Sequence, residues 1–236
     1  MTQQTTAALQ HTYAKLAGLS YILFTLTGFT NSFLLNGKLS DISELAVTGL
    51  FENEMHFRLG IAAEIIMFLA VIMASVSFYV VLKPVNKQLA QTALCLRLVE
   101  VIVGGFAVVA SMTMLAISSK AYLLDLFSLE QMRTIMVLAA SFRVPAYEYS
   151  WISMGFAGVI TFYLFFRAHY IPKAWAIWGM ITYTSLILYP MAKLLVADLP
   201  REAMFVMFPG ALFELGVGIW LVTKGIKLPS TLEKTA

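Results

Sequence analysis

Long apolar runs separated by short polar stretches set the pattern of this chain. Six of them, at about 15–36, 57–82, 90–118, 146–168, 174–196 and 203–223, each approach or exceed the roughly 20 residues that a bilayer requires of a helix. The pattern predicts an all-α, polytopic transmembrane helix bundle forming one integral membrane domain over residues 1–236. A further stretch, 128–144, has a different rhythm. Ser128 and Gln131 fit a capping box, and Met132, Ile135, Met136, Ala139 and Phe142 recur at helical spacing. It is too short to span alone, and Pro145 disfavours a helical Val144, so a break is expected there. The stretch reads as an amphipathic or re-entrant helix on the outer side. The alternative is a seventh span, which would place the termini on opposite sides. Segment 38–56 is acidic and partly amphipathic through Ile42, Leu45, Leu50 and Phe51, and is expected to pack over the outer mouth.

Composition agrees with this pattern. Hydrophobic residues are 60% of 236 and charged residues only 12%, against about 25% charged in soluble domains. Mean hydropathy is +0.81. No length remains for a separate soluble domain. Cys95, the single cysteine, excludes an internal disulfide and a multi-cysteine metal site, and its apolar surroundings predict that it is buried. The net charge of +3 comes from dispersed basic residues that flank apolar runs, so nucleic acid is not an expected partner. The N-terminus lacks a signal peptide's strong basic region and cleavage site, so a retained first helix is expected. The likeness of Phe78-Tyr79 before Lys83 to Phe162-Tyr163 before Arg167 is what a cytoplasmic boundary favours; it does not establish a repeat.

Loop charges set an orientation. Lys15, Lys83, Lys87, Arg167, Lys173, Lys224, Lys227 and Lys234 fall on one side, and Lys38, Lys120, Arg133, Lys193 and Arg201 on the other. The positive-inside rule then puts both termini in the cytoplasm of a cell membrane, in keeping with an even number of spans.

Candidate chemistry is confined to charges inside the runs, where an ionisable group costs at least about 2.5–3.5 kcal/mol at a helix centre and so faces protein or water. Arg97 and Glu100 stand three apart on one helical face, which Gly104 and Ser111 continue. Gly210, Glu214 and Gly218 form a small–acid–small stripe after Pro209, whose missing donor would free a carbonyl. Glu100 and Glu214 are expected at similar depth, sharing a cavity with Arg97. A second, outer group holds Arg58, Glu64, Arg143, Tyr147, Glu148 and Tyr149. A polar outer vestibule would explain all six, and interface anchoring suffices for the arginines and tyrosines. Glu64, about 9 Å deeper than Arg58 by helical rise, and Glu148 are harder to explain that way.

The ligand-binding candidates are therefore Arg97, Glu100, Glu214, Glu64 and Glu148, with Arg97, Glu100 and Glu214 central. They suit a small or lipidic ligand, acid–base catalysis on an apolar substrate, or plain helix–helix adhesion. His11, His56 and His169 lie at span ends, and no lysine occurs mid-span, so no cofactor or metal is expected. The methionines and aromatics read as packing. The expected surroundings are the lipid bilayer; nothing in the pattern sets an oligomeric state.

These positions resemble a known family. Phe57-Arg-Leu-Gly-Ile-Ala-Ala-Glu64, Tyr79-Val-Val-Leu-Lys-Pro-Val-Asn-Lys87, Arg97-Leu-Val-Glu100, Gly155-Phe with Arg167 through Pro172, and Glu214-Leu through Trp220-Leu-Val-Thr-Lys-Gly225 are similar to stretches of the bacterial membrane proteins catalogued as domain of unknown function 4386. The resemblance runs from about Lys15 to Gly225, and an acid at position 64 fits it. It implies a compact multi-spanning bacterial protein and brings no substrate, reaction or cofactor.

Overall fold

The computed structural model describes residues 3–31, 54–118 and 126–228, and these form an all-α structure. The expected cover at 38–56 falls outside the described residues up to residue 53. The helices are α1 (Gln3–Asn31), α2 (Glu54–Leu82), α3 (Lys87–Ser118), α4 (Leu129–Ser141), α5 (Arg143–Ala168), α6 (Lys173–Leu195) and α7 (Phe208–Thr223), with a 3-10 helix at Arg201–Met207 leading into α7. Four stretches, Glu54–Leu82, Lys87–Ile117, Glu130–Ala168 and Glu202–Thr223, are long and apolar enough to cross a membrane. The lengths of α1 and α6, 29 and 23 residues, are also sufficient. Both are diluted by hydroxyl-bearing side chains, including Thr25, Thr27 and Thr30 in α1 and the run Thr182, Tyr183, Thr184 and Ser185 in α6.

Element boundaries follow local chemistry. The capping box forms: Gln131 N donates to Ser128 Oγ at 3.3 Å and Ser128 N to Gln131 Oε1 at 2.9 Å. The break between α4 and α5 falls at Phe142 rather than at Val144. Pro145 sits in the first turn of α5, where a missing N–H costs no intrahelical bond, so Val144 stays helical. Pro209 likewise occupies the first turn of α7, and the freed carbonyl expected there does not arise. The N-terminal end of α1 starts well before residue 15. Its polar turns dock on the bundle through Gln10, whose Nε2 donates to Val81 O at 2.8 Å and reaches Tyr170 Oη at 3.4 Å.

Packing joins α1 to α2, α2 to α3, α3 to α5, α5 to α6, α6 to α7 and α7 back to α1, closing a ring. On α3, α4 lays its buried Met132, Met136 and Ala140. Small residues make the closest approaches possible. A Cβ on Gly18 of α1 would lie 2.6 Å from Gly218 O of α7, so the Gly218 end of the α7 stripe is a contact with α1, whereas Gly210 faces Thr182 of α6. Gly158 of α5 leaves the room that the Tyr183 ring of α6 fills.

The ring is filled unevenly. One end carries the 83–86 and 169–172 turns and the basic residues Lys83, Lys87, Arg167 and Lys173. Near it, Phe78, Phe162, Phe165 and Phe213 form an aromatic floor: Phe162 meets Phe213 edge-on at 4.9 Å and Phe78 meets Phe165 at 5.5 Å. Toward the opposite end the ring leaves an open cavity between its helices. Outward, Leu69, Ile102, Phe106 and Val109 are more than half exposed, an apolar exterior that water-soluble monomers rarely present. Cys95 belongs to this exterior. It is exposed, contrary to the expectation of burial, because it lies on the face of α3 turned away from Arg97 and Glu100.

Candidate functional site

A cavity of about 570 Å³ lies above the aromatic floor. Its lining draws on α1 through α7, with the polar residues Thr25, Asn31, Glu100, Arg143, Tyr147, Glu148, Thr182 and Glu214 set among Phe24, Met67, Phe68, Val71, Trp151, Met154 and Leu186. Pockets for drug-sized ligands typically measure about 300–1,000 Å³ with mostly apolar walls and a few polar groups.

The central cluster stands at the floor of this cavity. Within α3, Arg97 Nη1 donates to Glu100 Oε2 at 2.7 Å, both side chains being 5% exposed. The guanidinium lies 6.0 Å from the centroids of both the Phe24 and Tyr183 rings, a distance at which an aromatic face attracts a cation. Glu214 of α7 accepts a hydrogen bond from Tyr183 Oη at 3.0 Å and one from Thr25 Oγ1 at 3.5 Å. Tyr21 Oη is 2.8 Å from Tyr183 Oη; since Tyr183 gives its proton to Glu214, Tyr21 donates in turn to Tyr183. Four helices thus converge on two carboxyl groups, and the charge of Arg97 acts on both.

Among the described residues, three buried polar atoms find no partner: Arg97 Nη2, Thr182 Oγ1 and Asn31 Oδ1. Buried polar groups are almost always hydrogen-bonded, so exceptions call for an account. Thr182 and Asn31, 6% and 3% exposed, both line the cavity.

An outer cluster closes the wall between α2, α3 and α5. Arg143 Nη1 and Nη2 each reach Glu64 at 3.3 Å. Nη1 also donates to Ala107 O at 3.1 Å and to Ser111 Oγ. Tyr147 Oη donates to Glu64 Oε1 and receives from Asn31 Nδ2 at 3.2 Å. Glu64 is fully buried. Anchoring at the interface therefore fails for Arg143. It is 4% exposed, and the break at Phe142 turns its side chain inward to the one carboxylate within reach. Arg58, by contrast, is a surface residue paired with Glu54 at 2.5 Å. Glu148 pairs with Lys193 of α6 at the rim.

The structure thus brings Glu100 and Glu214 to one cavity, with Arg97 bonded to the first but behind the lining. Glu148 borders the same cavity at its far end. Glu64 does not line it. Sequence reading missed Tyr21, Thr25, Asn31, Thr182 and Tyr183. A signal was present in α6, where four consecutive hydroxyl-bearing residues interrupt an apolar run. Among the described residues, no group of three His, Cys, Asp or Glu could hold a metal ion.

Fold and cavity together define an all-helical protein with helices of membrane-crossing length around a partly polar, open cavity. The chain belongs to the family described as Domain of unknown function (DUF4386), whose model matches residues 16–225. No curated protein and no solved structure matches it.

Proposed function

We propose that this chain is a multi-pass protein of the bacterial inner membrane that binds or carries a small or lipidic ligand in the cavity above Arg97, Glu100 and Glu214. The observation that carries the reading is the joint presence of Glu100 and Glu214 in the lining of one cavity of about 570 Å³. Helix–helix adhesion alone gives no reason for leaving such a volume between close-packed elements, because interiors are normally filled to crystal-like density. The ring of α1, α2, α3, α5, α6 and α7 supplies six spans, with α4 lying against α3 on the outer side. Basic residues at the floor end support cytoplasmic termini.

Two experiments test this. Organic extracts of the purified protein are compared by mass spectrometry with those of Ala211→Trp, which fills the cavity from α7. A compound retained by the natural chain and absent from an equally folded variant is expected; identical extracts would remove the support for a ligand site. For orientation, Ser230→Cys is placed in a Cys95→Ser background. Labelling from the cytoplasmic side is expected, and labelling only from outside would overturn the topology.

A further inference from the structure

We infer that the ligand of this cavity is an amphipathic organic cation, a protonated amine on an apolar body, with its ammonium seated against Glu214 and Glu100. The inference rests on the ligand-site reading above and assigns the chemical class it leaves open.

At the floor, two carboxyl groups share a single guanidinium, and Arg97 is bonded to Glu100 rather than to Glu214. Glu214 is held by two neutral hydroxyls, Tyr183 and Thr25. Buried charges require partners of opposite sign, so the cluster lacks one positive charge when both acids are ionised. Among the described residues, no other cation at the cavity is available to supply it. Arg143 spends its donors on Glu64, Ala107 O and Ser111, and at the rim Lys193 is taken by Glu148.

Of the unpartnered atoms, Arg97 Nη2 is a donor behind the lining, and the two on the lining itself are oxygens. Asn31 Oδ1 can only accept a hydrogen bond, and Thr182 Oγ1 can accept one. Both are on the lining; Asn31 Oδ1 calls for a donor, and the Thr182 hydroxyl can take one. An ammonium has three donors and no acceptor, like the lysine head. The rest of the wall suits its body: Phe24, Phe68 and Trp151 offer apolar area and ring faces. An anionic ligand would face surplus carboxylate and, at Asn31 Oδ1, an acceptor already without a donor.

The probe is dansylcadaverine, a primary ammonium on an aromatic body, with its neutral N-acetyl derivative and the anionic dansyl-aminohexanoate as counterparts. Fluorescence anisotropy is read on the full chain in phosphatidylcholine nanodiscs, with empty nanodiscs subtracted. Dansylcadaverine is expected to bind at least about tenfold more tightly than either counterpart, to weaken by about tenfold or more in Glu214→Gln, and to be lost in Ala211→Trp. The comparison of the three probes needs no variant, so it stands whether or not Glu214→Gln folds. If the neutral or anionic probe binds equally well and Ala211→Trp abolishes that binding, the cavity is a ligand site but not one for cations, and this inference falls alone. If none of the three binds above empty nanodiscs, it falls together with the ligand-site reading.

Discussion

The outer and central clusters use the same residue types, arginine, glutamate and tyrosine, and close in different ways. Around Glu64, both carboxylate oxygens meet Arg143, Tyr147 adds a third donor, and the spare guanidinium valence goes to Ala107 O and Ser111. Charge balances, and the carboxylate is sealed from the cavity. Around Glu214, hydroxyls stand where a cation would, a second carboxylate lies nearby with the shared Arg97, and Thr182 is left unmatched. A buried ionic group that is fully satisfied acts as a clasp between helices. One that is left open beside a cavity is poised to receive something. Burial alone does not separate the two cases; the tally of donors and acceptors does.

The sharpest way to break this contrast is Arg143→Met. It strands Glu64 without its cation, and removing one partner of a buried pair costs about 3–5 kcal/mol, read as a loss of thermal stability in detergent. Adding Glu64→Gln to that variant is expected to recover part of the loss. If Arg143→Met were as stable as the natural chain, the outer cluster would not be a clasp. Next in size is Gly158→Val, which drives side-chain atoms into the space of the Tyr183 ring. Overpacking costs about 1–3 kcal/mol, and moving Tyr183 is expected to release Glu214 as well, so binding of the cavity ligand falls with stability.

Glu214→Gln keeps the shape and the hydroxyl contacts, so its stability is expected to change by less than about 1 kcal/mol, the ordinary net worth of one hydrogen bond, while ligand binding collapses. Smallest is Lys193→Met at the rim. Its side chain is 43% exposed, and partly exposed pairs are worth about 0–1 kcal/mol. A larger loss there would mean that the rim, too, is a clasp.

How much of this was legible in the sequence depended on the range of the interaction. The apolar helices and the Ser128 cap were, because apolar runs and a capping box that reaches three positions along the chain are local. Arg97 with Glu100 was, because three residues is within one helical turn. The expected convergence of Glu100 and Glu214 came from counting depth, and both are found in one lining. Glu64 with Arg143 was not legible: the partners are 79 residues apart, and the helix break that turns Arg143 inward lies two residues before the position that Pro145 suggested. Tyr183 was hidden by its own apolar body, which scores as packing although its hydroxyl is the main donor to Glu214. Cys95 was misjudged because apolar neighbours in sequence do not say whether a face looks inward or to lipid.

The most direct measurement sets Glu214→Gln beside Glu64→Gln in the same nanodisc preparation, reading Tm and dansylcadaverine affinity for each. One kcal/mol shifts Tm by about 2–4 °C in a chain of this size. The account predicts that Glu214→Gln moves Tm by no more than that and loses binding, whereas Glu64→Gln lowers Tm by more and, measured below its Tm, still binds. The reverse pattern, or equal loss of stability with binding untouched in both, would contradict it.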